Sequence, residues 1–259
     1  MAAIERALAA GITWFDVAPS YGDGEAEGIL GTVLAGANVA VVTKVGLRAP
    51  ATNGLARVAR ALARPVVAAV PQLRVLIKSK RSDAVVRMPL DAENIRTSLS
   101  RSLERLKFDR VAVLALHDPA SEDLQRDDVL RALEDVKRQG LASRIGIAGS
   151  FDNFVVGHEA RAFVDVAQFA VSTSGQCSAQ VGSVVARNAF VVIHSAFAAT
   201  NSQQLRYAFG ANPSGVVLAS NFASEHLRAN VAAASSAPDQ AFAIEVERSL
   251  RGESGPLVR

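Results

Sequence analysis

Short apolar runs recur along the chain, separated by charged, glycine-containing or proline-containing stretches. Seven stand out: ITWFDVA (12–18), VAVVTKV (39–45), RVAVLALH (110–117), SRIGIAGS (143–150), DVAQFAV (165–171), FVVIHSAF (190–197) and GVVLASNF (215–222). Their apolar positions are continuous rather than alternating, which predicts strands covered on both faces. Between the runs the period changes to that of helices. Residues 91–107 place Ile95, Leu99, Leu103 and Leu106 on one stripe. Residues 122–139 end at Gly140, a helix stop, and residues 223–234 start at a serine-containing segment and carry apolar helical spacing. A further helix is expected over Ala2 to Ala10, and a terminal helix and tail over 238–259.

Strands alternating singly with helices pair in parallel through right-handed crossovers. No GxGxxG follows an early strand, so the fingerprint of a doubly wound dinucleotide fold is missing. The regular alternation predicts an α/β fold of the (β/α)8 TIM-barrel type in a single domain over 1–259. Such a barrel needs eight strands and the pattern shows seven. The expectation is that the first strand lies upstream of Met1 or that the barrel is incomplete. Residues 47–90 join a strand to a helix over far more than the usual ~2–6 residues. They hold nine arginines and lysines against one acid, Asp83. Two readings stay open for this segment: a solvated loop with a short helix, or a basic lid attracting an anionic cofactor or substrate.

Composition narrows the class. Of 259 residues, 49% are hydrophobic and 20% charged, enough for a sizeable core. The net charge of +3 comes without the dense basic run of a nucleic-acid arm. Cys177 is the only cysteine, so neither an internal disulfide nor a cysteine-based metal site can form. No signal peptide and no apolar run of ~18 residues is evident. The expectation is a cytoplasmic protein with no metal, nucleic acid or membrane partner; the oligomeric state is unreadable.

In parallel barrels the active groups sit at the carboxyl ends of the strands. Asp16, Lys44 and His117 end the first three runs, and Tyr21 follows Asp16 in the next loop. Each has an ordinary reading: a turn acceptor, a snorkelling lysine, a satisfied histidine, a loop anchor. Together they have a chemical one, because a lysine and an aspartate interrupt buried strands at a cost. Tyrosine is a weak acid, with a reference pKa of about 10. A neighbouring ammonium favours its phenolate, and a carboxylate holds that ammonium in place. Such a tyrosine can protonate a carbonyl oxygen as it becomes an alkoxide. A bound cofactor must then supply hydride. Glu25 and Glu27 are expected to begin the next helix, where acids suit its dipole.

These residues lie in blocks that resemble the aldo-keto reductases, NAD(P)H-dependent oxidoreductases on a (β/α)8 barrel. GITWFDVAPSYGDGEAEGILGTVL, VVTKVG and SLSRSLERLKFDRVAVLALHDP are similar to three specific blocks of that family, and the looser likeness runs to about residue 235. The resemblance implies a catalytic tetrad of Asp16, Tyr21, Lys44 and His117, with Tyr21 as general acid/base. It implies NADP, or alternatively NAD, as cofactor. Gln168 would contact the nicotinamide amide, and His194 replaces the aromatic that commonly stacks on that ring. Ser150 and Ser195 would lie beside it. Ser220, Asn221, His226 and Asn230 match the positions that grip the adenosine phosphate, with Arg228 nearby. The family's serine-asparagine pair is here Ala148-Gly149. The N-terminal hairpin and first barrel strand are absent, and the stretch between His194 and Gly215 is short. The implied reaction passes hydride between NAD(P)H and a small carbonyl or alcohol: an aldehyde, a ketone or a sugar lactol. The alternatives are a catalytically impaired cofactor-binding or regulatory relative and, further off, a barrel enzyme acting on phosphorylated substrates.

Overall fold

The computed structural model describes residues 1–50, 85–160, 164–171, 175–194, 202–220, 223–236 and 238–253. Along the chain these form α1 (Ala2–Ala9), β1 (Trp14–Asp16), α2 (Ala26–Leu34), β2 (Ala40–Val45), β3 (Leu47–Arg48), β4 (Val86–Arg87) and α3 (Ala92–Leu106). Then come β5 (Val111–His117), α4 (Asp127–Arg138), β6 (Ala142–Gly149), α5 (Phe151–Ala160), β7 (Val166–Ala170) and α6 (Cys177–Ala186). The order closes with β8 (Phe190–His194), α7 (Ser202–Ala211), β9 (Val216–Val217), α8 (Ser224–Ser235) and α9 (Gln240–Leu250). Short 3-10 turns cover Tyr21–Gly24 and Asp123–Gln125.

Seven strands form one parallel sheet in the order β1-β2-β5-β6-β7-β8-β9, one for each apolar run. The first and last two are shorter than their runs, and 195–201 and 221–222 lie outside the described residues. The helical run 122–139 splits. Arg126 is extended, and its guanidinium bonds the Asp128 carboxylate, so the α-helix starts only at Asp127. The long basic segment is described only at its ends. There β3 and β4 pair antiparallel, Leu47 opposite Arg87 and Arg48 opposite Val86. The loop or lid between them, 51–84, lies outside the described residues.

The sheet separates two cores. Outward-facing Val41, Val45, Leu114, Leu116, Ile145, Ile147, Phe169 and Ile193 pack under the helices. Inward-facing Val42, Val113, Val166 and Val192 form a second cluster with Trp14, Phe190, Val216 and Leu218. The sheet curls enough for Trp14 on β1 to meet Phe190 on β8, with ring centroids 5.7 Å apart. Successive strand residues face opposite sides, so Asp16, Lys44, Gln168 and His194 lie on the inward face, each two residues beyond a member of this cluster. No described helix is long and apolar enough to cross a membrane.

Helices α2 and α3 pack with almost no gap. A Cβ on Gly31 would stand 2.3 Å from the Leu106 carbonyl oxygen, whereas one on Gly28 meets nothing within 4 Å. Gly31→Ala should therefore destabilise by about 1–3 kcal/mol through forced backbone displacement. Gly28→Ala on the open face of the same helix should stabilise by roughly 0.5–1 kcal/mol. Urea unfolding of the two variants checks both signs; equal effects would mean that the close approach carries no cost.

Candidate active site

The inner mouth of the sheet is assembled around a buried lysine. Lys44, near the end of β2, is 1% exposed, and its Nζ bonds directly to Oδ1 of Asp16 at the end of β1. The same ammonium donates to the Val17 carbonyl at 3.3 Å. Parallel pairing of β1 with β2 brings the two side chains to the same end of the sheet. Asp16 Oδ2 is buried with no hydrogen-bond partner. A buried ion pair left partly unsatisfied is costly, so the pair contributes little net stability for the space it fills.

Tyr21 stands over this pair. The 3-10 turn that starts at Tyr21 sends the chain back across the strand ends, and its Gly22 and Gly24 take positive φ, which glycine adopts without strain. Lys44 Nζ lies 5.0 Å from the centre of the tyrosine ring. The His117 ring meets Tyr21 edge-on, centroids 5.9 Å apart and planes at 85°. Tyr21 is 39% exposed, so the group facing solvent is the phenol while the charges behind it are buried.

His117 ends β5, and its Nδ1 is buried without a partner. Burial pushes its pKa down to about 3, helped by the positive charge of Lys44, by His194 and by Arg87. It is therefore neutral near pH 7. The next residue, Asp118, takes φ +48, and its N–H donates to the Ala148 carbonyl at 2.7 Å, which fixes the strand end. Gly46 leaves room for this turn; a Cβ there would stand 3.1 Å from the His117 carbonyl oxygen.

The other sequence-predicted positions fall into three places. Gln168 is buried on β7 opposite Ala148, and His194 ends β8 near the ion pair; burial lowers the His194 pKa while the Asp16 charge opposes the shift. Ser150 is exposed and caps α5: its Oγ accepts from the Asn153 N–H at 3.1 Å, and the Asn153 side chain holds the Pro119 carbonyl at 2.7 Å. Ser220 follows β9, with His226 and Asn230 on α8. The N-cap residue of that helix is Ala223, which offers no side-chain cap to its first N–H groups. Ser195 and Asn221 lie outside the described residues. Among the described residues no cluster of His, Cys, Asp and Glu could hold a metal.

Glu27 was underestimated by the dipole reading. It does lie in the first turn of α2, but it is fully buried: Thr43 Oγ1 donates to its Oε1 at 2.6 Å and Arg105 Nε to its Oε2 at 2.7 Å. The signal was present, since Glu27, Leu30, Gly31 and Leu34 share one helical stripe. The charged group is drawn inward because a cation and a hydroxyl meet it there.

Two outcomes follow from these burials. Arg105→Ala should cost about 3–5 kcal/mol by stranding the Glu27 carboxylate, and adding Glu27→Gln should recover part of the loss in urea unfolding. A double variant no more stable than Arg105→Ala would contradict the pairing. For His117, the unfolded chain binds its proton below pH ~6.5, while the folded chain resists protonation down to about 3. Its contribution is thus fully present above pH ~6.5 and is lost as pH falls through that window, with a slope approaching ~1.4 kcal/mol per pH unit. Unfolding curves from pH 7 to 4 should be flatter for His117→Gln than for the parent; parallel curves would remove His117 from the acid response.

Comparisons with known proteins bear on the family and the fold. The family model for the Aldo/keto reductase family matches residues 1–174. A D-threo-aldose 1-dehydrogenase from a Pseudomonas species is 34% identical over 157 residues, which is 56% of this chain and 42% of that protein. The chain thus matches less than half the length of this curated relative. Among solved structures, the holo form of an aldo-keto reductase from Bacillus halodurans superposes with a TM-score of 0.73 at 17% identity, covering 95% of this chain and 85% of that one. An aldo-keto reductase from Klebsiella pneumoniae in complex with NADPH gives 0.68 at 16% identity, covering 96% and 84%. These likenesses show the (β/α)8 fold. With the family model spanning well over half its residues, the chain belongs to the aldo/keto reductase family.

Proposed function

We propose that this protein is an NAD(P)H-dependent oxidoreductase acting on a small carbonyl or alcohol: an aldehyde, a ketone or a sugar lactol. The observation that carries the reading is the buried Lys44–Asp16 pair facing the exposed phenol of Tyr21 beside a neutral His117. NADP is the preferred nucleotide in this reading, with NAD as the alternative.

Tyr21 is the general acid when the carbonyl is reduced and the general base in reverse. As its proton leaves, negative charge develops on the phenolic oxygen, and the Lys44 ammonium across the ring stabilises it. Asp16 holds that ammonium in place inside a low-dielectric wall. His117, neutral at working pH, orients the substrate oxygen by hydrogen bonding and does not itself titrate there.

The residues around this group fit a dinucleotide. Buried Gln168 offers an amide at the level of Ala148, and His194 can stack. The first N–H groups of α8 receive no side-chain cap from Ala223, with Ser220 before the helix, His226 in its first turn and Asn230 further along it, and an uncapped helix start suits phosphate. When bound, the nicotinamide supplies or accepts the hydride. Support for a sugar lactol comes from the relative that is a D-threo-aldose 1-dehydrogenase, and support for NADP from the family member solved with NADPH.

The test is carbonyl-dependent oxidation of NADPH and NADH, and lactol-dependent reduction of NADP and NAD, by the purified chain. Tyr21→Phe should lower kcat by about 100-fold or more while nucleotide affinity, read by fluorescence titration, stays within about twofold. Nucleotide binding without turnover on a broad carbonyl panel would replace this reading with that of a cofactor-binding, non-catalytic relative.

A further inference from the structure

A second cation reaches the mouth from outside the barrel. Arg87 lies on β4, in the hairpin made by the two described ends of the long basic segment. Neighbouring hairpin positions face opposite ways. Arg48 lines a cleft on the α3 side with Arg101 and Arg105. Arg87 instead turns to the strand ends, where its guanidinium donates to the Asp118 backbone carbonyl, one residue beyond His117. The hairpin is pinned there, since the Met88 N–H donates to the Gly46 carbonyl at 2.8 Å, two residues beyond Lys44.

Arg87 has no carboxylate partner among the described residues. Lys44 is occupied by Asp16 and Arg105 by Glu27. The side-chain carboxylate of Asp118, whose backbone carbonyl is the anchor, lies toward β6, with Oδ1 3.3 Å from where a Cβ on Gly149 would stand. A guanidinium has five N–H donors in a planar fork. One is used on the backbone carbonyl, which orients the group without neutralising it. Its charge is close enough to help hold His117 neutral. What remains is an exposed fork anchored one residue beyond His117, with the geometry that suits a carboxylate or phosphate.

We propose that Arg87 binds an anionic group of the substrate, so that the preferred substrates are aldehydes or lactols carrying a carboxylate or a phosphate. The proposal rests on the oxidoreductase reading for the position of the carbonyl. It goes beyond that reading by naming a charged substrate class and the residue that selects it.

Matched pairs that differ only in the anionic group test it. Succinic semialdehyde is compared with butanal in reduction, and D-glucuronate and D-glucose 6-phosphate with D-glucose in oxidation. The full chain should favour the anionic member in kcat/KM by about tenfold or more. The ratio should fall toward one in Arg87→Gln and be partly kept in Arg87→Lys; because both members of a pair share the catalytic groups, a general loss of activity cancels. The sugar acid and the sugar phosphate separate a carboxylate from a phosphate site. A ratio near one in the parent, or an unchanged ratio in Arg87→Gln, overturns the proposal and leaves the oxidoreductase reading standing. A weakened NADPH affinity in Arg87→Gln with an unchanged ratio also overturns it, since the fork would then serve the nucleotide. Calorimetry with succinate covers the case of no turnover at all. Succinate binding that Arg87→Gln abolishes keeps the anion site and removes the oxidoreductase reading; no binding removes both.

Discussion

A lysine ammonium 1% exposed inside a curled sheet needs a counter-charge, and Asp16 supplies it. The rest of the mouth is arranged around that pair. It requires β1 and β2 to be parallel and adjacent, because only then do two strand ends present their inward side chains together. It also directs the loop that follows, since the Val17 carbonyl takes a second bond from the same ammonium before the chain turns to Tyr21. Losing one partner would leave the other charge buried alone, at a cost of about 3–5 kcal/mol. The pair is poor value for stability, given that apolar residues could fill the same space. The pair lies directly behind the phenol ring, with Lys44 Nζ 5.0 Å from the ring centre.

On the outer side of β2 the pattern repeats with different partners. Thr43 and Lys44 are consecutive and so face opposite ways. Thr43 meets Glu27 of α2, which Arg105 of α3 neutralises. The helix that follows the tyrosine turn is thereby tied to the strand that carries the lysine. The close Gly31–Leu106 approach holds α2 against α3 at the same place. Positioning of the mouth thus depends on polar contacts on both faces of one strand, with the apolar layers of Val42, Val113, Val166 and Val192 beneath.

Much of this was legible along the chain. Every apolar run became a strand, because residues buried on both faces leave an unbroken signal. Asp16, Lys44 and His117 were legible as polar endings to such runs, and the structure brings them together with Tyr21. Glu27 was not, because an acid in a first helical turn has a sufficient explanation in the dipole; only the third-element partner Arg105 shows why it is buried. The break at Arg126 was hidden for a similar reason: it depends on a side-chain bond to Asp128, which periodicity does not register. Arg87 was visible only as one charge among many, since its orientation comes from a hairpin whose two strands are 37 residues apart in the chain.

The alternation at Thr43-Lys44 has a consequence for folding. If β2 slid by one residue between its neighbours, the lysine would turn to the helices and the threonine to the mouth. Asp16 would then face an uncharged side chain, Thr43 or Val45 according to the direction of the slip, with its own charge buried, while Lys44 would lie on the helix side, where Glu27 is already matched by Arg105. Valine on either side of the strand would tolerate the slip with little complaint, because both faces are apolar. The two acids, one inside and one outside, therefore act as a register check: they make a misaligned β2 electrostatically distinguishable from the native one in a strand whose hydrophobicity alone cannot tell its two sides apart.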